Sequence, residues 1–191
     1  MLKRIFDILF SLFVLVSILI WLIPLIALLI FMTTGERPFF FQERVGREGK
    51  PFSIFKFRTM KGYPPVNDPL LSAEETFRIT KMGKTLRKYR IDEFPQFLNV
   101  LLGSMSIVGP RPERQQFLDN IIEEIPQYSA LQSLRPGITS LGQIRFGYAD
   151  TFAQMKIRAR YDLVYLDNLS LWTDIKIIMY TVVVVIKGKG K

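Results

Sequence analysis

The residues best suited to chemistry lie in one short run, Ile91-Asp92-Glu93-Phe94-Pro95-Gln96-Phe97-Leu98-Asn99-Val100. Two adjacent carboxylates can serve as nucleophile, as base or as ligands for a hard cation. Proline is tolerated in a helix only in the first turn, so Pro95 predicts a helix over 92–102 that starts at Asp92 and Glu93. Free backbone N–H groups and the helix dipole favour negative charge there. On such a helix Asp92, Gln96 and Asn99 follow an i, i+4, i+7 pattern and share a face, with Glu93 about 100° away. The ordinary reading of this pattern is an Asp cap beside an exposed Glu. The neighbours argue for more. Arg87 and Arg90 precede the run, and Gly109-Pro110-Arg111-Pro112 follows it. Two prolines hold Arg111 on a stiff loop, and a guanidinium forks onto phosphate oxygens. A carboxylate so placed can attack a phosphoanhydride. Mg²⁺ held by Asp92, Glu93 and substrate phosphate would offset the repulsion between like charges.

Composition narrows the chemistry further. The chain has 191 residues with no cysteine and no histidine. Disulfide scaffolds, Cys/His zinc sites and triads needing His or Cys are excluded, so any metal must take oxygen ligands. The net charge is +9. A basic stretch over 36–90, next to an apolar segment, points to anionic lipid headgroups or phosphorylated substrates. Nucleic acid is the other partner for such charge, but no recognisable nucleic-acid module is present.

The elements that must position these residues begin with a membrane segment. From Ile8 to Met32 no residue is charged, longer than the roughly 20 residues needed to cross a bilayer core. Lys3 and Arg4 precede it, and Arg37, Arg44, Arg47 and Lys50 follow it. The positive-inside rule draws both ends to the cytoplasm. A re-entrant hairpin satisfies both flanks, with a break at Pro24, whereas a kinked single span leaves Lys3 and Arg4 outside. The chain physics leaves both open. This divides the chain into a membrane element, 1–35, and a catalytic domain, 36–191.

The domain reads as α+β and mostly helical. Phe39 to Val45 and Pro51 to Met60 predict a short β-hairpin. Residues 61–69 are loop-rich, and Ser72 with Glu75 resembles a capping box opening a basic helix to about Tyr89. Glu113 to Ile125 and Phe152 to Leu166 are helical, with a turn-rich loop over 103–112. Ile138 to Tyr148 reads as extended. Leu171 to Ile186 is a membrane-surface amphipathic helix, although its β-branched run Val182 to Val185 also suits a strand.

Taken in order, these motifs resemble the monotopic phosphoglycosyl transferases, bacterial sugar transferases. The resemblance covers the apolar N-terminus with its proline, Phe55-Lys56-Phe57-Arg58-Thr59-Met60, the Asp92 run, Met105-Ser106-Ile107-Val108-Gly109-Pro110-Arg111-Pro112 and Arg135-Pro136-Gly137-Ile138-Thr139. It implies transfer of sugar-1-phosphate from a UDP-sugar to undecaprenyl phosphate at the cytoplasmic face of the bacterial inner membrane, opening glycan assembly. UMP would leave, with Asp92 as the nucleophile that carries the phosphosugar and Glu93 as its partner. It further implies substrate binding by Arg87 and Arg111 and a re-entrant helix broken at Pro24. From the residues themselves, Gln96 is a further substrate-binding candidate on the Asp92 face, Mg²⁺ the expected cofactor, and anionic lipid and a second copy of the chain the expected partners.

Departures fall at Ser104 and Ser140 and across Leu141-Gly142-Gln143-Ile144-Arg145-Phe146-Gly147, where the family more often has an Asn-Gly-Arg pattern. Arg145 is expected to replace the arginine found near Gly147, and sugar identity is left open. Two other readings compete: a non-catalytic basic protein of the membrane surface, and a membrane-anchored phosphohydrolase using the same carboxylates.

Overall fold

The computed structural model describes residues 2–62, 77–188 and 190. The loop expected over 63–69 and the Ser72–Glu75 capping box lie outside the described residues.

The apolar N-terminus is one helix of 33 residues, Leu2–Thr34. It comprises α1 (Leu2–Val14), a π-helical turn (Leu15–Leu19) and α2 (Ile20–Thr34). Pro24 sits inside α2 and does not interrupt it. The departure from α geometry comes one turn earlier, where Ile20 N–H reaches back to Leu15 O. A π turn widens the backbone just ahead of the proline ring, which would otherwise crowd the carbonyl of Ile20. The expected break at Pro24 is therefore corrected to a π turn over 15–19. Gly35, at φ 69°, ends α2 with its N–H on Phe31 O.

One stripe of this helix is covered, at Asp7, Ser11, Leu19, Ile26 and Ile30. Much of the rest is bare, including Leu9, Phe13, Trp21, Leu25, Phe31 and Met32. An apolar surface this continuous on a protein body marks contact with lipid or a partner.

Strands β1 (Phe39–Val45) and β2 (Pro51–Phe57) form the expected antiparallel hairpin, with Phe39 opposite Phe57 and Val45 opposite Pro51. Cross-strand phenylalanines reinforce it: Phe39 stacks on Phe57 at 5.6 Å, and Phe41 meets Phe55 edge-on at 5.4 Å. α3 (Lys81–Lys88) is capped by the Thr80 side chain, so the basic helix as described starts there. α4 (Gln96–Leu102) follows Pro95.

A second, parallel strand pair escaped the sequence. β3 (Ser106–Val108) lies beside β4 (Gly137–Thr139), inside regions read as a loop and as the start of an extended run. A Cβ at Gly137 would come within 2.2 Å of Gly109 N, so this approach needs glycine. Beyond β4 the chain turns into the short helix α6 (Leu141–Arg145), capped by Ser140, which corrects the extended reading of 138–148. α5 (Gln115–Glu124), α7 (Phe152–Asp167) and α8 (Leu171–Ile186) fall where helices were expected. The β-branched run in α8 is helical, because tertiary contacts override a weak propensity.

Among the described residues, three apolar clusters hold these elements. Ile26 and Ile30 of α2 pack with Phe57 and Leu86, and with Ile91 at the margin. Phe6 and Phe10 of α1 pack against Ile54, Val100, Met105, Ile107 and Tyr165. Phe117, Ile121, Tyr128, Leu131, Met155 and Ala159 form the third, which contains no residue of the N-terminal helix. Polar ties join that helix to the body as well. Lys3 Nζ lies 2.6 Å from Asp174, and Asp7 accepts from Ser106 Oγ at 2.8 Å and Ile107 N–H at 3.1 Å.

Candidate active site

Asp92 and Glu93 do not open α4. They occupy a separate 3₁₀ turn, Ile91–Glu93, ahead of Pro95. Arg90, just before the turn, has φ 53°. A left-handed arginine costs on the order of 1–3 kcal/mol and persists where the surroundings hold it. The sharp reversal lets α3, α4 and the turn converge on β2. Asn99 fastens α4 to that strand: its Oδ1 accepts from Phe55 N–H at 2.9 Å, and its Nδ2 donates to Ser53 O at 2.8 Å. The shared face of Asp92, Gln96 and Asn99 is thus divided. Asn99 is structural, and Gln96, 3% exposed, lies inside the fold rather than open to a ligand.

With α4 fixed to β2, Lys56 comes to the dyad. Its Nζ is 3.1 Å from Glu93 Oε1, and Arg111 Nη2 is 3.5 Å from the same oxygen. Burial alone would raise the Glu93 pKa, but Lys56, Arg111 and Arg90 overcome it and hold the carboxyl well below the usual range. Glu93 is therefore a buried carboxylate whose charged form Lys56, Arg111 and Arg90 favour. Asp92 differs on every count. It is partly exposed. No hydrogen bond or ion pair engages it among the described residues, and its pKa is raised, by its poorly hydrated setting first and by Glu93 second. A free carboxylate of raised basicity is the better nucleophile.

Arg87 sits near this pair without bonding it. Its Nε donates to Thr59 Oγ1 at 2.9 Å, and its charge offsets part of the rise at Asp92. Arg111 is gripped twice, through its guanidinium by Glu93 and through its backbone N–H by Asp162 at 3.4 Å. Asp162 in turn accepts from Gly142 N–H at 2.8 Å, and burial pushes its pKa up to about 6. Arg145 is not brought to the cluster. Its guanidinium lies over the Tyr180 ring at 5.9 Å, and among the described residues it makes no ion pair with the dyad.

Sequence reasoning missed Lys56 as a site residue. The available signal was its place between Phe55 and Phe57, where strand alternation sends it to the other face.

No group of three acidic residues that could hold a metal exists among the described residues. The site suits an ion that takes one carboxylate and completes its shell with phosphate oxygens and water, which is the habit of Mg²⁺. Asp92 has the open oxygens for that. The Oε1 of Glu93 is already shared by two cations.

The profile of the family described as "Bacterial sugar transferase" matches residues 1–188. The chain belongs to that family. It is 39% identical over 164 residues to the UDP-N-acetylgalactosamine-undecaprenyl-phosphate N-acetylgalactosaminephosphotransferase of Aeromonas hydrophila, covering 86% of this chain and 39% of that protein. It is 40% identical over 183 residues to the UDP-glucose:undecaprenyl-phosphate glucose-1-phosphate transferase of Klebsiella pneumoniae, covering 94% and 39%. A Caulobacter vibrioides protein of the same name is 38% identical over 182 residues, covering 94% and 68%. The chain therefore spans about two fifths of the length of the first two relatives.

Proposed function

We propose that this chain transfers a sugar-1-phosphate from a UDP-sugar to undecaprenyl phosphate, through a phosphosugar carried on Asp92. The observation that carries the reading is the division of the dyad: an open, unengaged Asp92 beside a Glu93 locked by Lys56 and Arg111.

In the first step an Asp92 carboxylate oxygen attacks the phosphorus that bears the sugar. The bond from that phosphorus to the bridging oxygen breaks, and UMP leaves with the electron pair. In the second step an oxygen of the lipid phosphate attacks the same phosphorus, the bond to Asp92 breaks, and the carboxylate is restored. Lys56, Arg111 and Arg90 supply fixed positive charge around the reacting phosphates at no reorganisation cost. Glu93 keeps those cations oriented. When bound at Asp92, Mg²⁺ would neutralise charge on the donor diphosphate.

The same reading puts the protein on the cytoplasmic face of the bacterial inner membrane, with the N-terminal helix entering and returning. A straight spanning helix carries its ends about 30 Å apart on opposite faces. Here Lys3, Arg4 and Asp7 near one end are tied to Asp174, Leu101, Met105 and Ser106. Ile26 and Ile30 near the other pack on Phe57 and Leu86 of the same body. Both attachments support a helix that dips into one leaflet. The bare apolar residues of α8, Trp172, Met179, Val183 and Ile186, suit the acyl region of bilayer lipid beside it.

The test is turnover in detergent or nanodiscs with a panel of UDP-sugars, Mg²⁺, and undecaprenyl phosphate present or absent. Lipid-dependent UMP release is expected with one sugar preferred, and Asp92→Asn should abolish both UMP release and a labelled sugar-phosphate adduct on the protein. A fully active Asp92→Asn variant overturns the reading. Release of free sugar phosphate without lipid would make it a phosphohydrolase instead.

A further inference from the structure

The cations around the dyad fall on two sides, and the two sides abut different parts of the protein. Arg87 and Arg90 are flanked in the chain by Leu86 and Ile91, which pack with Ile26 and Ile30 of the membrane helix, whereas Lys56 reaches the dyad from the face of β2 opposite Phe57. Arg111 leads the other way. Its loop joins the end of β1, where Val45 N–H donates to Glu113 O at 2.9 Å. Val45, Phe117 and Leu118 there belong to the cluster with no residue of the N-terminal helix.

Arg44 stands on this second side. One guanidinium nitrogen donates to Gln42 Oε1 at 2.6 Å. Its Nε is buried without a hydrogen-bond partner among the described residues. The carboxylate nearest in charge, Glu113, is already paired with Arg158 in a buried bridge. Arg111 and Arg114 add like charge around it, and burial draws the Arg44 pKa down to about 10. A fold that keeps an under-compensated, dehydrated guanidinium beside Arg111 sets aside a place for an anion. An open groove runs along this side, lined by Val45 and Gly46, which follow Arg44 in the chain, and by Pro110, Arg111, Glu113 and Gln132.

We propose that Arg44 binds the nucleotide-end phosphate of the donor, so that the soluble nucleotide enters on the side of β1 and Arg111 while the lipid phosphate reaches Asp92 from the side of Arg87 and Arg90. The inference rests on the transferase reading. It adds a direction to the site: the acceptor, confined to the bilayer, meets the cations that adjoin the membrane helix, and the departing UMP leaves by the groove remote from it.

The experiment uses the full-length protein in nanodiscs, with the variants Arg44→Gln and Arg44→Lys. The probe is UMP, measured by direct binding without lipid acceptor and as a product inhibitor of turnover. Arg44→Gln should weaken UMP binding and raise KM for the UDP-sugar tenfold or more, leaving KM for undecaprenyl phosphate within twofold. Arg44→Lys should recover part of the loss, since it restores the charge without the fork. Should Arg44→Gln fail to fold, Arg44→Lys together with Gln42→Ala, which frees the guanidinium from its one side-chain acceptor, reads the same quantities. Unchanged UMP binding in folded variants overturns the proposal, as does a rise confined to the lipid KM. A wild-type protein that releases no UMP would instead defeat the transferase reading.

Discussion

Replacing Lys56 with Met tests whether Glu93 is an anchor. The substitution keeps most of the side-chain volume and removes one of two cations from a carboxylate that is 8% exposed. Breaking a buried ion pair by deleting one partner costs about 3–5 kcal/mol. Arg111 remains at 3.5 Å, and the Lys56 side chain is 17% exposed, so roughly half of that, about 2 kcal/mol, is the expected loss. For a chain of this size that lowers Tm by about 4–8 °C. The pH dependence fixes the cause. A carboxyl held low in the folded state contributes stability above its unfolded pKa and loses it as pH falls towards the folded value. Lys56→Met moves the Glu93 pKa upward, so the variant should lose stability at a higher pH than the wild type on acidification. Lys56 also counters the rise at Asp92, so the acid limb of the activity profile should shift to higher pH too. The assay is thermal unfolding of detergent-solubilised protein from pH 4 to pH 8, with Glu93→Gln and the double variant completing a cycle. Additive effects, or an acid limb that stays in place, would refute the anchor role.

Two further outcomes follow from the supports of the turn. Asn99→Ala removes two bonds to β2 and leaves Phe55 N–H and Ser53 O without their partner, which should cost about 2–4 kcal/mol and lower kcat more than it raises KM. A variant that melts like the wild type would show that β2 is held otherwise. Asp162 carries a pKa raised to about 6, so its contribution to stability is full below the unfolded value near 3.8 and is lost as pH rises through about 6. Asp162→Asn should be most destabilising near pH 4, with the Tm difference narrowing towards pH 7, and a constant difference would contradict the assignment.

Much of the fold was legible because its signals are local. The uncharged run over 8–32, the hairpin between Phe-rich strands, and the helices beginning near Gln115 and Phe152 each follow from periodicity and punctuation within a dozen residues. What escaped depends on long-range contacts. β3 and β4 are three residues each and gain their identity only by pairing with one another, 31 positions apart from Ser106 to Gly137. The start of α4 was misplaced because nothing local forces Arg90 into a left-handed conformation that separates the dyad from the helix. That Arg111 would come to the Asp92-Glu93 pair was readable from residue type and spacing. Lys56 was not, since its partner lies 37 positions away and is reached only through the grip of Asn99 on β2.

Under the proposed mechanism, that grip gives the two carboxylates of the dyad different work. A single Asp among Lys56, Arg87, Arg90 and Arg111 would be claimed by those cations, with a depressed pKa and little nucleophilicity. Glu93, with one more methylene, reaches Lys56 and Arg111 first and takes up their hydrogen bonds. Its retained negative charge then acts on Asp92 as a like-charge neighbour and raises its basicity. On the proposed reading, the cations around Asp92 attract an arriving phosphate while its carboxylate oxygen stays uncommitted. Exchanging the two residues would reverse this. In the swap Asp92→Glu with Glu93→Asp, the shorter side chain at 93 would reach Lys56 and Arg111 poorly, and the longer one at 92 would compete for them. Turnover should then fall as far as in Asp92→Asn even though both carboxylates are present.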